Sequence, residues 1–142
     1  MKKLMRLALV GLCLAVAALI AAGCASGKGD AFEVTDGGYA RFSDKRLEVQ
    51  LEADVAGGYQ WECEADGATV KFVEGVAGDY LSGKAPEGEG VGLAIFTYEP
   101  EGSGETVLTF TYARPGEAPE NDKTFSLVAT VEAGMFRDVK MA

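Results

Sequence analysis

The chain has 142 residues, 22 acidic side chains against 13 basic ones, a formal net charge of −9 and no histidine. A chain this acidic is not suited to bind nucleic acid or an anionic membrane surface. Without histidine, a Cys/His or Ser/His/Asp nucleophilic site cannot be built and a zinc site would need unusual ligands, so neither an enzyme nor a cofactor is expected.

The first 23 residues read as an export signal. Lys2, Lys3 and Arg6 form a basic head, and Leu7 to Ala22 carries no charge. The run is too short and wrongly flanked for a stable membrane span. It ends in Ile20-Ala21-Ala22-Gly23-Cys24, which resembles a lipobox, in which Cys24 becomes the lipidated first residue. Ordinary cleavage after small residues is the alternative. Residues 24–30 are small and polar, as in a flexible tether, and 31–142 form one domain large enough for a real core. The expectation is an exported protein, lipid-anchored outside the cytoplasmic membrane or in the outer membrane or periplasm. Its charge favours a monomer. Cys13 falls in the signal and Cys24 is the lipidation candidate. Cys63 is then left alone, and no intradomain disulfide can form.

The domain reads as all-β. Residues 31–35 form a first strand, closed by the turn Asp36-Gly37-Gly38. Residues 46–53 alternate most clearly, with Leu47, Val49 and Leu51 on one face and Glu48, Gln50 and Glu52 on the other. Residues 59–64 point Tyr59, Trp61 and Cys63 inward. Trp61 is expected to be a central core aromatic and Cys63 a buried, inert thiol. Residues 69–73, 93–99, 105–112 and 123–132 complete about seven strands. Strands of this number and size predict an immunoglobulin-like β-sandwich.

Three connections stand out: 54–58, the long segment 74–92, and 113–122. If successive strands run alternately up and down, these three emerge at the same end and form one composite edge. Glu117, Glu120 and Asp122 in the last one match no calcium-loop spacing, and a solvated acidic loop is expected there.

At these loops the chain resembles the chagasin-type inhibitors of cysteine peptidases. That family carries a first loop Asn-Pro-Thr-Thr-Gly-(Tyr/Phe)-x-Trp, a second Gly-x-Gly-Gly and a third Arg-Pro-Trp. Here the first reads Asp54-Val55-Ala56-Gly57-Gly58-Tyr59-Gln60-Trp61, matching at Gly58, Tyr59 and Trp61. The second reads Gly88-Glu89-Gly90-Val91-Gly92, with Gly90 and Gly92 in the glycine roles and Phe96 at the family's spacing. The third reads Tyr112-Ala113-Arg114-Pro115-Gly116, matching at Arg114 and Pro115. The resemblance runs from about Val49 to Val131, in the family's order. It implies an immunoglobulin-like sandwich that inhibits a papain-like cysteine peptidase of a host, a competitor or the cell itself. The first loop would enter the active-site cleft and the other two would grip its walls. The implied contact residues are Gly58, Tyr59, Gly90, Gly92, Arg114 and Pro115, with Trp61 anchoring the strand beneath.

The departures lie in the same loops. Ala56 and Gly57 stand where the family has paired threonines, Asp54 and Val55 replace Asn and Pro, and Gly116 replaces the Trp. They predict a weak inhibitor, or one tuned to an unusual peptidase. A non-inhibitory immunoglobulin-like envelope or adhesion lipoprotein domain is the alternative.

Overall fold

The computed structural model describes residues 28–74, 80–83, 91–121 and 123–142. Among these described residues are nine strands, in chain order: β1 (Phe32–Thr35), β2 (Gly38–Phe42), β3 (Leu47–Asp54), β4 (Gln60–Asp66), β5 (Val70–Phe72), β6 (Val91–Pro100), β7 (Gly104–Ala113), β8 (Phe125–Glu132) and β9 (Met135–Met141). They form an antiparallel sheet ordered β1-β2-β3-β6-β5 and a second ordered β4-β7-β8-β9. The expected all-β sandwich is present, with two more strands than the sequence pattern suggested.

Both additional strands follow tight turns. Gly38, read as part of a turn, begins β2 and pairs with Leu51. A Cβ at Gly38 would come within 2.7 Å of the Leu51 and Thr35 side chains, so only glycine lets β2 start there. β8 turns into β9 through Ala133 and Gly134, with φ of 51° and 72°. Two successive positive φ values are the geometry of a type I′ hairpin turn, whose twist suits the flanking strands.

The core lies between the sheets. Leu47, Val49 and Leu51 of β3 face Leu108 and Phe110 of β7 and Leu127, Ala129 and Val131 of β8, together with Phe136 and Val139 of β9. Phe110 stacks on Phe125 with ring centres 4.8 Å apart, and Phe96 meets Phe110 edge-on at 5.3 Å. Each fully buried side chain of this kind contributes about 1.5–3 kcal/mol. With no disulfide, this packing holds the domain.

The second face of β3 departs from simple alternation. Glu48 is 5% exposed and Gln50 only 2%, although both were placed on a polar face. Arg41 and Arg46 cover Glu48, at 3.2 Å and 3.3 Å from its carboxylate. Gln50 Oε1 accepts a hydrogen bond from the Leu81 backbone N–H at 3.0 Å. Leu81 is itself buried, so part of the β5–β6 connection runs over the outside of the sheet. This satisfies a buried amide that alternation alone would have put in water.

The connections sort into two ends. Residues 55–59, the start of β6 at Val91 and residues 114–121 and 123–124 lie at the end where β3 finishes, because Val91 pairs with Asp54 and Gln60 with Ala113. The β1–β2 turn joins them there, since Gly37 O accepts from Glu52 N. The turns at 43–46, 101–103 and 133–134 close the other end, where Gly29 N donates to Phe42 O.

Candidate functional site

The first loop is built on Asp54. Its carboxylate Oδ1 accepts from Gly57 N at 2.9 Å, and its backbone O accepts from Tyr59 N at 3.0 Å. Gly58 N donates to Val55 O at 3.0 Å, which closes a tight turn over 55–58. The two glycines have different reasons to be there. A Cβ on Gly57 would sit 2.4 Å from Asp54 Oδ2, so Gly57 makes room for the capping carboxylate. Gly58 has φ +84°, in the left-handed region that side chains disfavour.

The departures in this loop have local compensations. Val55 N donates to Ala53 O at 3.0 Å, a bond that the family's proline could not make. The Asp54 carboxylate is used inside the turn, as an Asx cap, rather than projecting bare. Gly57 therefore sits in a hydrogen-bonded turn, and the paired glycines do not leave the loop loose.

The second loop reaches this edge through its last residues. A Cβ on Gly92 would come within 2.4 Å of Val55 Cγ2, so the bare glycine lets the Val55 side chain lie across the start of β6. Val55 is 60% exposed and Val91 38%, giving the edge an apolar tip. Gly90, the other glycine of this motif, lies outside the described residues, as does Cys24.

The third loop opens with a tight turn. Glu117 N donates to Arg114 O at 3.0 Å, with Pro115 at the second position and Gly116, φ +78°, at the third. Proline followed by a residue of positive φ is the signature of a type II turn. Gly116 thus serves backbone geometry at the position where the family has Trp. Arg114 Nε donates to Glu117 Oε2 at 2.7 Å, and Glu117 beside it holds the guanidinium still more firmly protonated.

Aromatic rings join the first and third loops. Tyr59 stacks on Tyr112 with centres 4.8 Å apart and planes 7° from parallel, and Trp61 tilts against Tyr112 at 4.9 Å. Arg114 lies over the Tyr59 ring at 5.0 Å and Lys123 over the Tyr112 ring at 4.7 Å. The Tyr59 hydroxyl donates to Glu120 Oε1 at 3.1 Å, and this carboxylate raises the Tyr59 pKa. Tyr112 Oη accepts from Asp54 N at 2.8 Å. Trp61 is buried beneath, its indole N–H donating to Glu52 O at 2.9 Å, the core position that the pattern implied.

The structure therefore brings Tyr59 and Arg114 into contact, with Gly58 leaving open the space beside the Arg114 stem, Pro115 next in the chain and Gly92 beneath Val55. Sequence reasoning placed Val55, Val91 and Glu120 on the connections of this edge and Tyr112 beside its third motif, but gave none of them a contact role, and it read Lys123 only as the start of a strand. Two of them carried a visible signal: large apolar side chains in otherwise polar or glycine-rich loops. Cys63 lies elsewhere, half-buried on the open flank between β4 and β5 with Val70, Phe72, Phe96 and Tyr98, around a cavity of about 240 Å³. Burial pushes its thiol pKa up, which suits an unreactive cysteine. Among the described residues, no group of carboxylates and thiols is placed to hold a metal ion.

The family model described as "Chagasin family peptidase inhibitor I42" matches residues 43–129. That range runs from the turn before β3 into β8 and includes all three loops of the edge. No curated protein and no solved structure matches the chain.

Proposed function

As the chain belongs to the chagasin family of peptidase inhibitors, we propose that it reversibly inhibits papain-like cysteine peptidases, closing their active-site cleft with the three loops at one end of the sandwich. Membership implies cysteine peptidase inhibition in general, and members are inhibitors rather than enzymes. The docking by these particular loops is our reading. The observation that carries it is the contact of Tyr59 in the first connection with Arg114 in the third, at an edge capped by Val55 and Val91.

Mechanistically the edge acts as a preformed wedge. The 55–58 turn enters the cleft as bare backbone with an apolar tip, and the 114–117 turn and the start of β6 flank it. No bond forms or breaks. The loops are held by internal hydrogen bonds before docking, so little ordering entropy is lost on binding. The missing threonine hydroxyls and the missing Trp remove contacts that such interfaces use. Val55 and Val91 supply apolar area instead, and the net expectation is a weaker inhibitor than the family pattern would give.

The remaining expectations fit this reading. We take residues 1–23 as the signal, Cys24 as the lipidated residue, 24–30 as the tether and 31–142 as a monomeric inhibitor domain. The chain comes into the domain at Gly29, bonded to Phe42 O at the end opposite the loop edge. An anchor there would hold the edge away from the membrane. Cys24→Ala should then move the protein out of the membrane fraction. A Cys24→Ala variant that stays membrane-bound would refute the lipid anchor.

The test is titration of papain and of a cathepsin-L-type peptidase with the protein, following hydrolysis of a fluorogenic peptide. Saturable inhibition is expected, weakened about a hundredfold in Gly58→Glu, which puts bulk and charge at the tip of the wedge. Equal inhibition by both forms would move the docking surface off this edge.

A further inference from the structure

Two side chains outside the proposed contact set join the loops of the edge. We propose that Tyr112 and Lys123 are positioning residues for inhibition: they fix the first and third loops against each other in the docking geometry before a peptidase arrives. The inference rests on the inhibitory reading of this edge.

Tyr112 is the last aromatic of β7 and meets the first and third loops of the edge through different atoms. Its hydroxyl oxygen accepts from the N–H of Asp54, the residue that caps the 55–58 turn. Its ring stacks on Tyr59, the residue that ends the first loop. Its backbone O accepts from Glu120 N at 2.8 Å, in the middle of the third loop. Lys123 completes the arrangement. The third loop begins with a cation over Tyr59, Arg114, and nears its end with a cation over Tyr112, Lys123. Both ends of that loop are thus held to one tyrosine pair, and Glu120 is held to the same pair through the Tyr59 hydroxyl.

A wedge gains affinity when its loops are ordered in advance, because docking then removes less conformational freedom. Hydrogen bonds and cation–π contacts of this kind are individually modest. Here they converge on one hub, so each limits the movement of both loops. Neither Tyr112 nor Lys123 needs to touch the peptidase to affect how tightly it is held.

The test uses Tyr112→Phe, which keeps the ring and loses the acceptor for Asp54, and Lys123→Met, which keeps the stem and loses the charge. Lys123→Arg restores a cation. Association and dissociation rates with papain are measured beside the thermal midpoint of each free protein. Dissociation constants should rise up to about tenfold for Tyr112→Phe and about threefold for Lys123→Met. Lys123→Arg should inhibit like the wild type. Hydrogen exchange at the Asp54 and Tyr59 amides should quicken in Tyr112→Phe without any peptidase present. Variants that inhibit like the wild type while their midpoints fall would make the hub purely structural and overturn the inference. Unchanged exchange at Asp54 and Tyr59 would overturn it independently. A wild type that leaves papain and the cathepsin-L-type peptidase untouched would instead remove broad papain-type inhibition, the reading on which this inference rests, leaving an unusual target or the envelope and adhesion reading.

Discussion

At the end of the sandwich that carries 54–59 and 114–121, each loop closes on its own backbone, and side chains join the first loop to the third. At the opposite end, backbone bonds also join one turn to another. There Gly134 N donates to Gly102 O, Phe136 N to Asp44 O, Ser43 N to Arg46 O and Glu101 N to Thr69 O, all within 2.8–2.9 Å. Side-chain ties there, such as Lys45 Nζ to Gly134 O and Ala133 N to Ser103 Oγ, reinforce turns that already pair. At the loop edge the ties run through Asp54, Tyr59, Tyr112, Arg114 and Glu120, leaving glycine backbone and two valines at the tip. An end that only closes a sheet can use backbone pairing. An end that must present backbone to a partner needs another way to stay ordered, and here it spends its aromatic and charged side chains inward.

The largest effect is expected at the shared foundation of the edge. Trp61→Ala removes a buried ring that packs on Tyr112 and Phe125, and should cost about 3–5 kcal/mol in urea unfolding. A loss below about 1 kcal/mol would mean that the hub does not depend on the core beneath it.

Glycines sharpen the contrast between the ends. Gly57→Ala drives a Cβ into the Asp54 carboxylate. It should lower stability by about 1 kcal/mol, the worth of a lost cap, and weaken inhibition as well. Gly134→Ala meets no atom closer than 4.0 Å, yet its φ of 72° disfavours a side chain. It should cost about 1–2 kcal/mol of stability and leave inhibition unchanged. Equal effects of the two substitutions on inhibition would erase the distinction between the ends.

The smallest effect concerns pH. Tyr59 donates to Glu120, so folding favours the neutral phenol and raises its pKa above the usual 10.0. The stabilisation is fully present below that value and fades as pH rises through the folded value. The thermal midpoint followed from roughly pH 8 to pH 11 should therefore decline less steeply in Glu120→Ala than in the wild type. An identical decline would detach Glu120 from Tyr59.

Much of this architecture was legible in the sequence because alternation and turn chemistry agree in most strands. β3, β7 and β8 carry period-two patterns that nothing competes with, and the three loop connections followed from counting reversals. β2 was hidden because Gly38 completes a turn-like Asp-Gly-Gly yet serves as a strand residue packed against Leu51. β9 was hidden because Ala133 takes a positive φ, a conformation usually announced by Asn, Asp or Gly. Glu48 and Gln50 look solvent-facing by pattern. Their burial depends on Arg41, Arg46 and Leu81, partners that no local window contains. The edge followed the same division. Gly58, Tyr59, Arg114 and Pro115 could be read from motif resemblance. Lys123 could not, because its role is set by a ring that pairing across β7 and β8 brings close.

Which end docks is read most directly from a hydrogen-exchange footprint of the protein in complex with papain inactivated at its catalytic cysteine. Slowed exchange is expected at 54–59, 91–92 and 114–117, with no change at 43–46, 101–103 and 133–134. Protection confined to that opposite end, or to the flank between β4 and β5, would contradict docking by the loop edge.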